Sequence, residues 1–146
     1  MVNSSRNPLA SCTCANLRKA MRAITQLYDA TLEPSGLLIT QFSVVGGIAT
    51  LKSATMSRLA DHLVMDRTTL TRNLKPLLRR DLVMISSGKD ERTRYVTLTS
   101  KGYQALSKAL KLWGQAQERV VKALGEERWS SLTRNLSRLT EIARQE

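Results

Sequence analysis

A single segment with the pattern of a β-hairpin interrupts a chain whose apolar residues otherwise recur at helical spacing. Residues 82–86 and 95–99 partly alternate apolar and polar side chains, and Tyr95, Val96 and Thr97 are types that favour strands. A polar loop that carries two arginines near its tip joins these two segments. The pattern therefore predicts a mainly α-helical fold with one small β-hairpin.

Helical periodicity predicts the elements before the hairpin. Apolar residues recur every three or four positions over residues 15–32, and the Pro and Gly of the turn at 33–36 end this helix. Thr40, Thr55 and Asp66 are candidate N-caps for the next three helices. Pro76 falls inside the third of these and predicts a bend or a loosened turn, because proline lacks an N–H.

The segment after the hairpin predicts two further helices. Thr99 or Ser100 can cap a long helix whose apolar seam is interrupted only by Gln117, and Gly125 ends it. A last helix repeats the seam from Trp129 to the end of the chain. These seams and the first helix present more apolar surface than a small middle unit needs, which favours contact with a second copy over an ordinary helical hairpin.

Size and composition predict one globular domain over residues 1–146. The chain has 42% apolar and 24% charged residues, and this length is enough for a core that needs no metal or disulfide. No apolar run approaches the ~20 residues of a membrane span, and the first thirty residues lack the apolar stretch of a signal peptide. We therefore expect a cytoplasmic protein with reduced thiols and no association with a membrane.

The residue types available argue against an enzyme. His62 is the only histidine, and no Gly-rich phosphate loop or cluster of metal-ligating residues is present. A cysteine-dependent reaction would lack a credible base. We expect no catalytic residues, no metal site and no cofactor.

The charge balance predicts an anionic partner. Lys and Arg number 23 against 12 Asp and Glu, for a net charge of +11. Residues 55–101 contribute +5 of this, from ten basic and five acidic side chains, so the middle third is the most basic. Only six aromatic residues are present, which disfavours stacking on single-stranded nucleic acid.

Two short helices followed by a basic hairpin form the layout of a winged helix-turn-helix. The second helix of such a pair can enter the major groove of DNA, and an arginine at the hairpin tip can reach the minor groove. The polar side of the second helix carries the candidate contact residues Arg67, Thr68, Thr71, Arg72, Lys75 and Arg79. Arginine can pair with a guanine edge, whereas Lys75 and Arg79 suit phosphates. The alternatives are a solvated charged face, or a basic protein that binds polyanions or anionic membranes without sequence preference.

Residues 55–102 also resemble the DNA-binding core of the MarR (multiple-antibiotic-resistance regulator) family of bacterial transcription factors. The resemblance rests on Leu59-Ala60, on Thr69-Leu70-Thr71-Arg72, and on Leu82-Val83. Its most specific part is Asp90-x-Arg92-x-x-x-Val96-x-Leu98-Thr99, followed by Lys101-Gly102. Asp81 stands where the family often has glycine, and aspartate tolerates left-handed backbone better than most residues.

The resemblance implies a homodimeric regulator that binds a pseudo-palindromic operator in double-stranded DNA in the bacterial nucleoid. It implies a DNA-binding core at residues 40–102 and dimerisation helices at residues 9–33 and 103–146. Asp90 would brace the hairpin, or wing, and Arg92 would enter the minor groove. Lys89, Arg94 and Thr69 complete the predicted contacts. A repressor whose operator affinity responds to a small ligand or to cysteine oxidation is the expected function.

Cys12 and Cys14 are candidates for the sensing step. The start of a helix and the nearby Arg18 favour the thiolate, and two cysteines one residue apart do not easily form an unstrained disulfide. The chain is similar to a branch of the family that senses organic hydroperoxides through a cysteine near the first helix, which would be Cys14. Tyr28 matches one of that branch's partner tyrosines, whereas Ile39 stands in place of the second. The alternative is that both thiols are inert.

Overall fold

The computed structural model describes residues 8–145, with side-chain surroundings from residue 10 onward. Two 3-10 turns, at Pro8–Ser11 and Glu33–Ser35, flank the first helix. The main elements in chain order are α1 (Thr13–Leu32), α2 (Ile39–Leu51), β1 (Ala54–Thr55), α3 (Met56–Leu63), α4 (Arg67–Arg79), β2 (Val83–Ser87), β3 (Arg94–Leu98), α5 (Ser100–Leu124) and α6 (Glu126–Arg144).

The predicted fold class is confirmed, and the hairpin has a third strand. β2 and β3 pair antiparallel with Ile85 opposite Val96, and β1 adds to the other side of β3 with Ala54 opposite Val96. The two residues of β1 are too few to show periodicity, so they were not predicted. Because β1 leads directly into α3, the wing is attached to the first helix of the helix-turn-helix.

The capping predictions are right for α3, α4 and α5, and wrong for α2. The side chains of Thr55, Asp66 and Thr99 accept hydrogen bonds from backbone N–H groups in the first turns of these three helices. α2 begins at Ile39 rather than after Thr40, because the Asp29 carboxylate on α1 accepts the Ile39 N–H at 2.6 Å. The Gln41 side-chain oxygen also accepts the Leu38 N–H at 3.1 Å, so one local contact and one contact from a neighbouring helix fix this start.

The core lies between α2, α3, α4, the sheet and the start of α5. Its largest fully buried side chains are Leu32, Leu37, Ile48, Leu59, Leu70, Leu74, Leu77, Leu82, Val44, Val45 and Val96. α4 continues through Pro76 to Arg79, with Leu70, Leu74 and Leu77 on its buried face. Trp113 on α5 stacks on Phe42 of α2 with ring centroids 6.1 Å apart, so it anchors the long helix to the core.

The outer helices contrast with this core. Within α1 only Tyr28 and Leu32, close to its C-terminal end, are buried, and α6 has no buried residue. Several large apolar side chains of these helices are exposed, including Met21, Ile24, Leu132, Leu136, Leu139 and Ile142.

Among residues 8–145, three residues other than glycine adopt a positive φ. Asp81 has φ 55°, as its position at the end of α4 predicts, and Lys52 has φ 62° after α2. Val64 has φ 54° in the turn between α3 and α4, where its β-branched side chain makes the left-handed conformation costly.

Candidate nucleic-acid interface

The start of α4 is fixed by a cap that uses two groups of one threonine. The Asp66 carboxylate accepts hydrogen bonds from the Thr69 N–H and the Thr69 hydroxyl, both at 2.7 Å. These hydrogen bonds hold the pKa of the Asp66 carboxyl below its ordinary value, because they stabilise the charged form. The Thr69 hydroxyl, predicted to contact DNA, is therefore already used as a donor within the chain.

The polar face of α4 forms a shallow exposed groove. It is lined by Arg67, Thr68, Thr71, Arg72 and Lys75, and Arg79 lies exposed near the end of the helix. The Thr71 hydroxyl donates to the Arg67 carbonyl at 2.8 Å, so its proton is used within the helix and its oxygen can still accept a hydrogen bond. This groove presents three cationic side chains and hydroxyl groups on one face.

The wing is braced by Asp90. One carboxylate oxygen of Asp90 accepts the Arg92 N–H at 3.0 Å, and its other oxygen accepts the Thr93 hydroxyl at 3.4 Å. The loop is closed by two backbone bonds, from Gly88 to Thr93 and from Thr93 to Asp90. Since Asp90 is occupied with the loop, the exposed guanidinium of Arg92 is left to project from it, beside the exposed Lys89 and Arg94.

A cleft between the wing and the helices brings three arginines together. It is lined by Thr55, Met56, Ser57, Arg67, Arg92, Thr93 and Arg94. No sequence pattern marks Met56 or Ser57 as site residues, because only the pairing of β1 with β3 places the start of α3 beside the wing. No acidic side chain among the described residues lines the cleft.

The cations of this surface are not neutralised by the chain. Across residues 8–145, no ion pair involves Arg67, Arg72, Arg92 or Arg94. Because Arg67 lines both the groove on α4 and the cleft beside the wing, the two form one continuous basic surface.

Two glycines of this unit lie close to neighbouring atoms, and at Gly102 the neighbour is backbone that cannot easily move. A Cβ at Gly102 would lie 2.0 Å from the Leu82 carbonyl oxygen, so only glycine lets the start of α5 approach the strand that begins the wing. A Cβ at Gly88 would lie 2.7 Å from the Tyr95 ring in the wing. The Lys101-Gly102 element of the family pattern therefore has a steric reason here.

The structure does not bring the predicted sensing residues together within one chain. Cys12 precedes α1 and is half-buried, and Cys14 is exposed in its first turn; both are free thiols. Tyr28 lies 14 residues after Cys14, roughly 21 Å along α1. Its hydroxyl donates to Gln117 Oε1 of α5 at 2.5 Å, and burial raises its pKa. This contact also explains the polar residue in the apolar seam of α5.

Residues 8–145 contain neither a cluster of metal-ligating side chains nor a single helix with the length and apolar composition of a membrane span. No group of three or more His, Cys, Asp or Glu side chains in this range is placed to hold a metal ion. Within the same residues, no single helix is both long and apolar enough to cross a membrane. Thr13–Ser35 and Ile39–Leu51 reach that length and apolar composition only when taken together, and this pair is bent by 71°.

The fold and the site define a winged helix-turn-helix protein. Two solved structures of the M. tuberculosis transcriptional regulator MosR are similar to it along nearly the whole chain. The structure of MosR in complex with DNA is 40% identical, covers 92% of this chain and 98% of its own, and superposes with a TM-score of 0.85. The second MosR structure is 38% identical and covers 92% and 97% of the two chains, with a TM-score of 0.80. The chain belongs to the MarR family of transcriptional regulators.

One more distant solved structure agrees in fold, and one curated protein is similar in sequence. A mutant of MarR from E. coli, complexed with operator DNA, is 22% identical, covers 92% of this chain and 99% of its own, and has a TM-score of 0.80. YwoH of Bacillus subtilis (strain 168), an uncharacterised HTH-type transcriptional regulator, is 29% identical over 85 residues. That alignment spans 58% of this chain and 62% of YwoH. No family model matches the sequence.

Proposed function

We propose that this protein is a sequence-specific regulator of transcription that binds double-stranded DNA in the bacterial cytoplasm. The observation that carries the proposal is the continuous basic surface on which Arg67 joins the groove of α4 to the cleft beside the wing. The DNA complex of MosR, at 40% identity, supports the same function. Its relatives are transcriptional regulators, and we propose no enzymatic activity.

The geometry suits the two grooves of DNA differently. α4 would lie in the major groove, where Arg72 can read a guanine edge and Thr68 and Thr71 can contact thymine methyl groups or phosphates. Arg92 at the wing would enter the minor groove, with Lys89 and Arg94 beside it. Lys75 and Arg79 would contact phosphates, as would Arg67 and Ser57 in the cleft.

We further propose that the outer helices form a homodimer. α6 buries none of its side chains within the chain, yet it carries Leu132, Leu136 and Leu139 along one side. Exposed Met21 and Ile24 on α1 extend this apolar surface. A second copy that packs against it would remove this surface from water, leaving residues 40–102 of each copy to bind one half of a pseudo-palindromic operator.

A signal would then act by changing the spacing or tilt of the two α4 helices. One candidate is oxidation of Cys14: its thiolate attacks the terminal oxygen of an organic hydroperoxide, forming a sulfenic acid and releasing the alcohol. A second thiol would then form a disulfide and release water. Tyr28, held by Gln117, would take part only if it exchanged this hydrogen bond. The alternative is a small apolar or anionic ligand between the outer helices and the winged unit.

A competition experiment tests DNA recognition. Labelled DNA from upstream of the protein's own gene is titrated with protein, and then unlabelled copies, unrelated duplexes or heparin are added. We expect the specific duplex to compete at least about a thousandfold better than bulk DNA, with a steep dependence on salt. Equal competition by all polyanions, or comparable binding to anionic vesicles, would support the alternative of a non-specific basic protein.

A comparison of the wild type with two cysteine variants tests the sensing proposal. Operator binding is measured for the wild type, Cys14→Ser and the matched control Cys12→Ser, before and after organic hydroperoxide and then after reductant. We expect reversible release by the wild type and Cys12→Ser, and none by Cys14→Ser. Identical behaviour of all three proteins would rule out sensing by Cys14.

A further inference from the structure

Arg80 differs from the other cations near α4 in what it contacts. Arg67, Arg72, Lys75 and Arg79 are exposed, whereas Arg80 is half-buried. Its Nη1 donates a hydrogen bond of 2.8 Å to the carbonyl of Gly36, 44 residues earlier in the chain. The donor of this bond is therefore directed at the protein rather than at solvent.

The acceptor lies in a rigid turn between α1 and α2. Gly36 has φ 72°, and its N–H donates to the Glu33 carbonyl at 2.9 Å. The buried Ser35 hydroxyl donates to the Leu32 carbonyl at 2.6 Å and accepts the Leu37 N–H at 3.2 Å. The turn therefore gives Arg80 a fixed point of attachment at the end of α1.

The lack of a side chain at Gly36 leaves room for the Arg80 guanidinium. A Cβ at this position would lie 3.2 Å from Arg80 Nη2, closer than most contacts of a Cβ atom. Its positive φ disfavours a larger residue independently of this contact. Both constraints keep the carbonyl of the turn accessible to Arg80.

The residue after Arg80 makes a second link to an outer helix. The Thr99 hydroxyl, at the start of α5, donates to the Asp81 carbonyl at 2.5 Å. The same hydroxyl oxygen caps α5 by accepting the Gly102 N–H at 3.0 Å. The end of α4 is thus tied to α1 through Arg80 and to α5 through Asp81.

We propose that Arg80 is a positioning residue for DNA recognition, which holds the end of α4 at a fixed angle to α1 and does not contact DNA. The inference rests on the proposed function, because α1 must belong to the dimer for this angle to set the distance between the two α4 helices. Arg80 then determines which spacing of half-sites the dimer accepts.

The first test needs no DNA. In a Cys12→Ser/Cys14→Ser background, nitroxides are placed at Arg22→Cys on α1 and Lys75→Cys on α4, and labelled chains are diluted with unlabelled ones. Pulsed electron paramagnetic resonance then measures the distance within one chain. We expect Arg80→Ala to broaden or shift the distance distribution, Arg80→Lys to restore part of it, and Arg79→Ala to leave it unchanged. An unchanged distribution for Arg80→Ala overturns the proposal, whether or not the protein binds an operator.

The second test uses duplexes whose half-sites are one base pair closer or farther apart than in the preferred operator. We expect Arg80→Ala to lose about tenfold in affinity for the preferred spacing, consistent with loss of one charge-assisted hydrogen bond, and to discriminate less between spacings. Its salt slope should match the wild type, and its affinity for non-specific DNA should be unchanged.

Arg79→Ala is the matched control for charge. If Arg79 contacts a phosphate, its removal lowers the salt slope by about one and leaves the preference for spacing intact. The same result for Arg80→Ala would overturn the proposal, because it would make Arg80 a phosphate contact. A wild type that binds all duplexes equally would refute the proposed function instead, and the distance measurement would still decide whether Arg80 positions α4.

Discussion

The middle of the chain and its outer helices use apolar residues in opposite ways. From α2 to the start of α5, most leucines and valines are enclosed, and nine large side chains of this region are nearly inaccessible to water. Along α6, leucines at the same helical spacing remain exposed, and no residue is buried. The same helical spacing of apolar residues therefore predicts the helices of the middle region and α6. In the middle region these residues pack within the chain, whereas on α6 they remain exposed.

This difference indicates two sources of stability. Packing within one chain holds the winged unit together, because its apolar residues already contact one another. The outer helices lack such contacts over most of their length. In our proposal, packing against a second copy of the chain stabilises them. Changes in the middle should alter folding, and changes in α6 should alter association.

The largest effect is expected where the two regions meet. Gly102→Ala would place a Cβ 2.0 Å from the Leu82 carbonyl oxygen, so the start of α5 would have to move away from the winged unit. We expect a loss of about 3 kcal/mol or more in the free energy of unfolding, measured by urea denaturation. Gly114→Ala in the same helix is the control, since nothing lies within 4 Å of its Cβ, and it should be neutral or stabilising. Equal stability of the two variants would contradict the close approach.

The second-largest expected effect distinguishes loss of dimerisation from loss of folding. Leu136→Asp places a charge on the apolar side of α6, at a residue that is 37% exposed within one chain. We expect a monomer in analytical ultracentrifugation whose winged unit retains its cooperative unfolding transition, because burying an unpaired carboxylate in a dimer is costly. Ser137→Asp, one residue further along on the exposed surface, should remain dimeric. Complete unfolding of Leu136→Asp would show that α6 contributes to the core of its own chain.

Removing the charged groups of the basic surface should affect binding without affecting folding. Arg92→Ala is expected to weaken operator binding by about 10–100-fold at unchanged melting temperature and oligomeric state, because the Arg92 side chain is exposed within residues 8–145. Arg72→Ala should cost about 1–3 kcal/mol and relax the preference at one base pair. Uniformly weaker binding of Arg72→Ala with an unchanged sequence preference would make Arg72 a phosphate contact instead.

The smallest expected effect is a gain in stability within the middle region. Val64→Gly would remove a β-branched residue from φ 54° in the turn between α3 and α4, where 55% of the side chain is exposed and little packing is lost. We expect a gain of about 0.5–1 kcal/mol, seen as a higher urea midpoint. Val64 lines a shallow groove together with Leu136 and Leu139 of α6, so a loss of stability would mean that this packing outweighs its backbone strain.

Local sequence signals predict most of this fold, and contacts between distant residues account for the rest. The caps at Thr55, Asp66 and Thr99 lie within three residues of the N–H groups they bind, so short patterns reveal them. The cap of α2 by Asp29 and the strand at Ala54–Thr55 depend on chain segments that meet only after folding.

The candidate site also combines residues that local patterns reveal with residues that only distant contacts explain. The row of cations on α4 and the Asp90–Arg92 pair in the wing can be found from helical spacing and from a family pattern. Ser57 in the cleft and the attachment of Arg80 to Gly36 cannot, because the residues that explain them are far away in the chain. Charge alone also cannot separate Arg79 from Arg80, since their difference lies in what each guanidinium faces.

The attachment of the wing has a consequence for how such a chain can change over time. The sheet is held by the pairing of Val83 with Leu98 and Ile85 with Val96 near its base, and by β1 on the other side of β3. The loop beyond Ser87 and Arg94 makes none of these pairings. Residues added to both sides of the hairpin in twos would preserve which side chains face the core, while extending the tip by about 7 Å for each pair. The length of the wing is therefore a property that evolution or an engineer can adjust without redesigning the helices beneath it.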